Sequence, residues 1–206
     1  SDSIHLAAID ILENSKFMNK ISRQLDLCAI YNSLGLSYAN RSDFLSAREQ
    51  FIKALNILSD TTMFSSGSFY DGYVQTICNI SAACYDLREI QEGSEYIIKA
   101  IDMINDAPFG SIQEKTLYNL YQNTKVFANK YASENNFEML ELFLSGEFNQ
   151  LKFLLSLNPM KYKNDMVRSI LKTSKIYDAK IDVAPNNLYK YVLKQLYVDK
   201  LGTIEG

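Results

Sequence analysis

One block of small, apolar and polar residues recurs along the chain. Ala8-Ile9-Asp10-Ile11-Leu12 returns as Ala54-Leu55-Asn56-Ile57-Leu58 and again as Ala100-Ile101-Asp102-Met103-Ile104, 46 residues apart each time. Polar residues follow every copy: Glu13-Asn14, Ser59-Asp60 and Asn105-Asp106. A small residue, apolar residues around a polar one and then a polar stop mark the end of a helix packed in an array. The register extends upstream. Tyr31, Leu34, Gly35, Tyr38, Phe44, Ala47, Phe51 and Ala54 match Ile77, Ile80, Ser81, Cys84, Ile90, Gly93, Ile97 and Ala100 at the same offset. Each pair keeps its class, and spacings of three, four and seven place these residues on one helix face. The polar break Asn40-Arg41-Ser42-Asp43 reads as a turn. The repeating unit is therefore a helix, a short turn, a second helix and a connector. Ser59 to Gly72, with Ser65-Ser66-Gly67-Ser68 inside it, is one such connector.

A third unit follows at an offset of 47. Phe127, Tyr131, Phe137, Leu140 and Leu144 take the places of Ile80, Cys84, Ile90, Gly93 and Ile97. Its small position is lost, as expected of a terminal unit that closes the core. Residues 148–206 read differently. Phe148 to Leu157 is a short apolar helix before Asn158-Pro159; Met160–Thr173 and Asn186–Asp199 are further helix candidates, split by Ala184-Pro185. Residues 1–147 carry 11 basic and 19 acidic groups, whereas residues 148–206 carry 10 basic and 5 acidic. The expected organisation is repeats over 1–147, a helical cap or extension over 148–201, and a cloning remnant over 202–206. With Ser1 in place of an initiator methionine, the chain reads as a segment of a longer protein.

Composition narrows the class. The 206 residues are 47% hydrophobic and 12% aromatic, enough to form a continuous core and too apolar for a disordered chain. Three cysteines exclude a disulfide scaffold, and eight glycines with three prolines speak against a turn-rich sheet fold. No apolar run reaches the length of a membrane span, and a cytoplasmic protein is expected.

Tyr31-Asn32-Ser33-Leu34-Gly35-Leu36-Ser37-Tyr38, followed by Asp43-Phe44, Ala47, Phe51 and Lys53-Ala54-Leu55, closely resembles a tetratricopeptide repeat. The second unit is looser, with Ser81 and Gly93 at the small positions, and the third is a weak match. The resemblance covers residues 4 to 147. It implies an all-α, right-handed superhelix, a solenoid of helix pairs, here with a helical C-terminal cap. Such arrays bind a protein or peptide segment in a groove lined by the first helix of each unit. By that resemblance the groove residues are Asn32, Leu36 and Asn40 in the first unit, Gln75, Asn79 and Tyr85 in the second, and Lys125 and Asn129 in the third. Asparagine and glutamine donate and accept at once, which suits an extended peptide backbone. Lys125 and Asn129 have the spacing of a carboxylate clamp, but Asn32 and Cys78 stand where partner lysines are needed.

The residues speak against an enzyme. His5 is the only histidine, so Ser-His or Cys-His chemistry must use it or none. Cys28, Cys78 and Cys84 lack zinc spacing, and no phosphate-cradling glycine motif is present. Glu138 and Glu141 read as a solvated helix face rather than a glycosidase pair. The expected function is a non-enzymatic scaffold or adaptor module without cofactor or metal. Two alternatives stand beside it. One is the peptide-sensing domain of a bacterial tetratricopeptide transcriptional regulator. The other is nucleic-acid contact through basic, tyrosine-rich C-terminal residues such as Tyr162, Lys163, Arg168, Lys190, Lys194 and Lys200. Ala8 to Leu12 reads as half of a unit whose first helix is missing. Its edge is expected to be apolar and to need a preceding unit or a second copy.

Overall fold

The computed structural model describes residues 2–15, 18–59, 68–108 and 110–178, and among them lie eight helices and no strand. The chain is all-α. The helices are α1 (Asp2–Asn14), α2 (Lys20–Ala39), α3 (Phe44–Leu58), α4 (Phe69–Asp86), α5 (Ile90–Asp106), α6 (Glu114–Ser133), α7 (Phe137–Leu157) and α8 (Pro159–Asp178). None of the described helices is long and apolar enough to cross a membrane. The helix candidate Asn186–Asp199, the basic residues Lys190, Lys194 and Lys200, and residues 202–206 lie outside the described residues. Two compact units divide the chain, Ser1–Phe127 and Ala128–Gly206.

The turns carry the repeat into the backbone. Ser42, Arg88 and Asn135 adopt φ of 61°, 68° and 57°, left-handed values at the two sequence offsets of 46 and 47. After α2, the Asp43 amide donates to the Tyr38 carbonyl at 3.1 Å and the Ser42 amide to Ala39 at 2.9 Å. After α4, Glu89 donates to Cys84 at 2.9 Å and Arg88 to Tyr85 at 3.1 Å. After α6, Asn136 donates to Tyr131 at 3.0 Å and Asn135 to Ala132 at 3.3 Å. Each pair of bonds satisfies carbonyls that the helix end would leave open. The next helix starts at once: Asp43 caps α3 by accepting from the Ser46 amide, and Asn136 caps α7 by accepting from Met139. A side chain at a left-handed residue costs roughly 1 kcal/mol that glycine avoids, less glycine's greater chain entropy. Ser42→Gly is therefore expected to stabilise the protein by about 0.5 kcal/mol, read as a higher urea midpoint.

Within the first unit each helix packs on the next as far as α5, and α2 also meets α4. Small residues set the crossings. A methyl group on Gly35 would stand 2.4 Å from the Phe51 ring, and one on Gly93 would stand 2.8 Å from the Phe127 ring. At the second crossing the Ser81 hydroxyl donates to the Gly93 carbonyl at 2.9 Å. Ala47, Phe51, Ile80, Ala83 and Cys84 form one buried cluster, and Cys28, Ala54, Leu58 and Phe69 another. Phe69 to Gly72, read from sequence as connector, is helical. Phe69 is fully buried, so burial of its ring draws the start of α4 forward.

In the second unit Leu140, Phe143, Leu151, Leu154, Tyr162 and Met166 are buried. Here α7 is one helix through residue 147, where sequence reading places a break. Ser145-Gly146-Glu147 contains no proline, and a single glycine costs about 1 kcal/mol in a helix, which the buried residues on either side offset.

Candidate functional site

The first helices of the repeat units, α2, α4 and α6, carry the groove residues expected from sequence. The structure joins two of them directly. The Asn79 amide nitrogen donates to the Asn32 side-chain oxygen at 3.1 Å. The Asn32 amide nitrogen donates to the Thr76 hydroxyl at 2.8 Å and to the Cys28 carbonyl at 3.2 Å. The Thr76 hydroxyl in turn donates to the Gly72 carbonyl at 2.7 Å. This chain of bonds ties α2 to α4. Asn32, expected at an exposed groove position, is in fact 8% exposed and committed to this network. The reason is register. Asn32 is equivalent to Cys78, which is buried at 3%, so the position belongs to the helix-helix seam. Cysteine's strong tendency to burial was the signal available in sequence.

The other positions differ. Leu36 and Asn40 are exposed, Asn40 closing α2 with its amide on the Leu36 carbonyl at 2.9 Å. Gln75 and Asn79 are half-buried. Tyr85 is half-buried and meets the Phe127 ring edge-to-face at 5.6 Å. The Lys125 ammonium lies 5.1 Å over the Tyr121 ring, a cation–π contact that holds the charge against that ring. Asn129 is exposed and lies in the compact unit that begins at Ala128. Tyr162, expected among the tyrosines available for stacking, is only 1% exposed because it belongs to the core of that unit.

Two groupings were not read from sequence. The first is His5 with Ser33, 2.9 Å apart. Ser33 lies in the interior of α2, where the neighbouring backbone N–H groups are bound within the helix and are not available as oxyanion donors. The second is Cys84, Glu89 and Glu92, whose ligand atoms lie within 4.8 Å of one another. Arg48 occupies this position: its guanidinium pairs with Glu89 and lies 3.6 Å from Glu92. A fixed cation already meets these carboxylates, so the group reads as an ion-pair cluster that fastens α3 to the α4–α5 turn. Arg48 and Glu89 are 41 residues apart and off the repeat register, which hid them in sequence.

The three cysteines are buried and free. Burial pushes the Cys78 thiol up to about 12, and burial together with the Glu92 charge pushes Cys84 up to about 11 against the pull of Arg48. Burial raises Cys28 as well. These thiols are poor nucleophiles in the folded chain. Labelling by a thiol reagent is expected to proceed at the rate of unfolding, and fast labelling in native buffer would contradict this. The folded values exceed the unfolded value of 9.0, so the folded state holds protons that the unfolded state has released. This stabilisation is complete below about pH 9 and lost as pH rises toward 12. A urea titration across that range is expected to show a falling midpoint.

Compared with protein-family models and with the curated proteins, the chain matches none.

Proposed function

We propose that the chain is a right-handed superhelix of tetratricopeptide-like helix pairs with a helical C-terminal cap, and that it binds a protein or peptide segment without covalent chemistry. The observation that carries this reading is the threefold recurrence of one left-handed turn, at Ser42, Arg88 and Asn135, in the register of the hydrophobic repeat. Within the first compact unit α2 lies against α4, and a repeat of this kind sets the outward residues of such first helices beside one another. There Leu36, Asn40, Gln75, Tyr85 and Lys125 are the groove residues, and Asn129, in the compact unit that begins at Ala128, is proposed as a contact by itself. Asn79 keeps its side-chain oxygen to accept from a peptide amide while its nitrogen is held by Asn32. Asn32 contributes by positioning Asn79. The module acts as a scaffold or adaptor, and its mechanism is shape and polar complementarity.

The test is capture from native lysate by the chain and by Gln75→Ala, Asn79→Ala and Lys125→Ala, each checked for helicity. One protein or peptide retained by the parent and weakened about tenfold or more in the variants, a loss of about 1.4 kcal/mol, supports the groove. Partners held equally by all four proteins place binding elsewhere.

A further inference from the structure

Two described helices present apolar stripes on the side opposite their buried face. On α1, Ile9 is buried, while Ile4 and Ile11 are 72% and 69% exposed and Ala7 between them is exposed. On α8, Tyr162, Met166 and Ser169 are buried, while Met160, Val167 and Leu171 are 88%, 39% and 57% exposed. Both stripes follow helical spacing. Ile4 to Ile11 and Met160 to Val167 are each seven residues, about 10 Å along a helix, so the two stripes match in length and step.

Their charges are opposite. The first helix, α1, carries Asp2, Asp10 and Glu13 and no lysine or arginine; Asp2 is paired with Arg41 at 2.6 Å, so Asp10 and Glu13 are the acids offered to a partner. Asp10 and Glu13 are exposed. The last described helix, α8, carries exposed Lys161, Lys163 and Arg168 beside its stripe, with Asp165 the acidic residue among them, 4.0 Å from Arg168. Pairing α1 with α1 would set acids against acids, and pairing α8 with α8 would set bases against bases. Only the mixed pairing joins apolar to apolar and acid to base.

We infer that α1 of one copy docks on α8 of a second copy of this chain, a head-to-tail contact between two different surfaces. Such a contact leaves one free face of each kind on every dimer, so association is reversible and open to further addition. Salt weakens it by screening the flanking charges.

Sedimentation of the 206-residue chain tests this, with Ile11→Lys to spoil the α1 face and Leu171→Glu to spoil the α8 face. Both positions are exposed, and Ile4→Lys and Met160→Glu are a second pair should either variant lose helicity. The parent is expected to gain mass with concentration and to lose that gain in high salt. Each variant alone is expected to associate at least about tenfold more weakly. An equimolar mixture of the two is expected to recover a dimer, because each supplies the face the other lacks. A parent that stays monomeric at all concentrations overturns the inference. So does either single variant that self-associates as the parent does, which would mean a like-with-like pairing, or a mixture that fails to recover the dimer.

Discussion

Phe51→Ala should lower the unfolding free energy by about 3–5 kcal/mol, the largest single loss expected in the first unit. The ring is 2% exposed and sits among Ala47, Ile80, Ala83 and Cys84. It also fills the space left by the missing side chain of Gly35. Its removal opens a cavity bordered by three helices, α2, α3 and α4, whose backbones are held by the turns and cannot collapse freely. Urea denaturation followed by far-ultraviolet circular dichroism reads the loss as a shifted midpoint. A loss below about 1 kcal/mol would mean that the ring is not a core residue.

Gly35→Ala should be nearly as damaging, by about 3 kcal/mol, at the upper end for overpacking. Alanine ordinarily stabilises a helix relative to glycine by up to about 1 kcal/mol, so the sign of the result is informative. The added methyl would stand 2.4 to 2.9 Å from three atoms of the Phe51 ring, and the ring is locked by its own burial. Phe51→Leu in the same chain removes the ring edge that the methyl would strike. The double variant is expected to be less destabilised than the sum of the two single changes, because the sites share one contact. Strict additivity would contradict the crossing described here.

The helix pairs were legible in sequence because their determinants are local and periodic. Gly35, Ala47 and Phe51 repeat as Ser81, Gly93 and Ile97, and the polar break before Asp43 marks the first turn. The left-handed residues were not legible. Ser42 and Arg88 are not glycine, and the six-residue bonds that hold them follow from helix closure rather than from their side chains. The seam at Asn32 was hidden for another reason. Its partners Thr76 and Asn79 lie 44 and 47 residues away, off the register of 46, so an asparagine that looks like a solvated groove residue belongs to a buried network. Continuity of α7 escaped because the last residue matched to the repeat is Leu144, whereas the apolar residues after it extend the same helix. Side-chain networks between helices depend on rotation about each axis, which periodicity alone leaves undetermined.

The proposed groove requires that one helix–turn–helix unit occur three times. Native-state hydrogen exchange at three amides tests it most directly: Asp43, Glu89 and Asn136, which donate to Tyr38, Cys84 and Tyr131. These amides follow helix ends, where exchange is ordinarily fast. All three are expected to be protected well above their unfolded-chain rates, together with the helix interiors they close. Exchange of any one of them at the unfolded-chain rate, beside protected residues of the preceding helix, would contradict it.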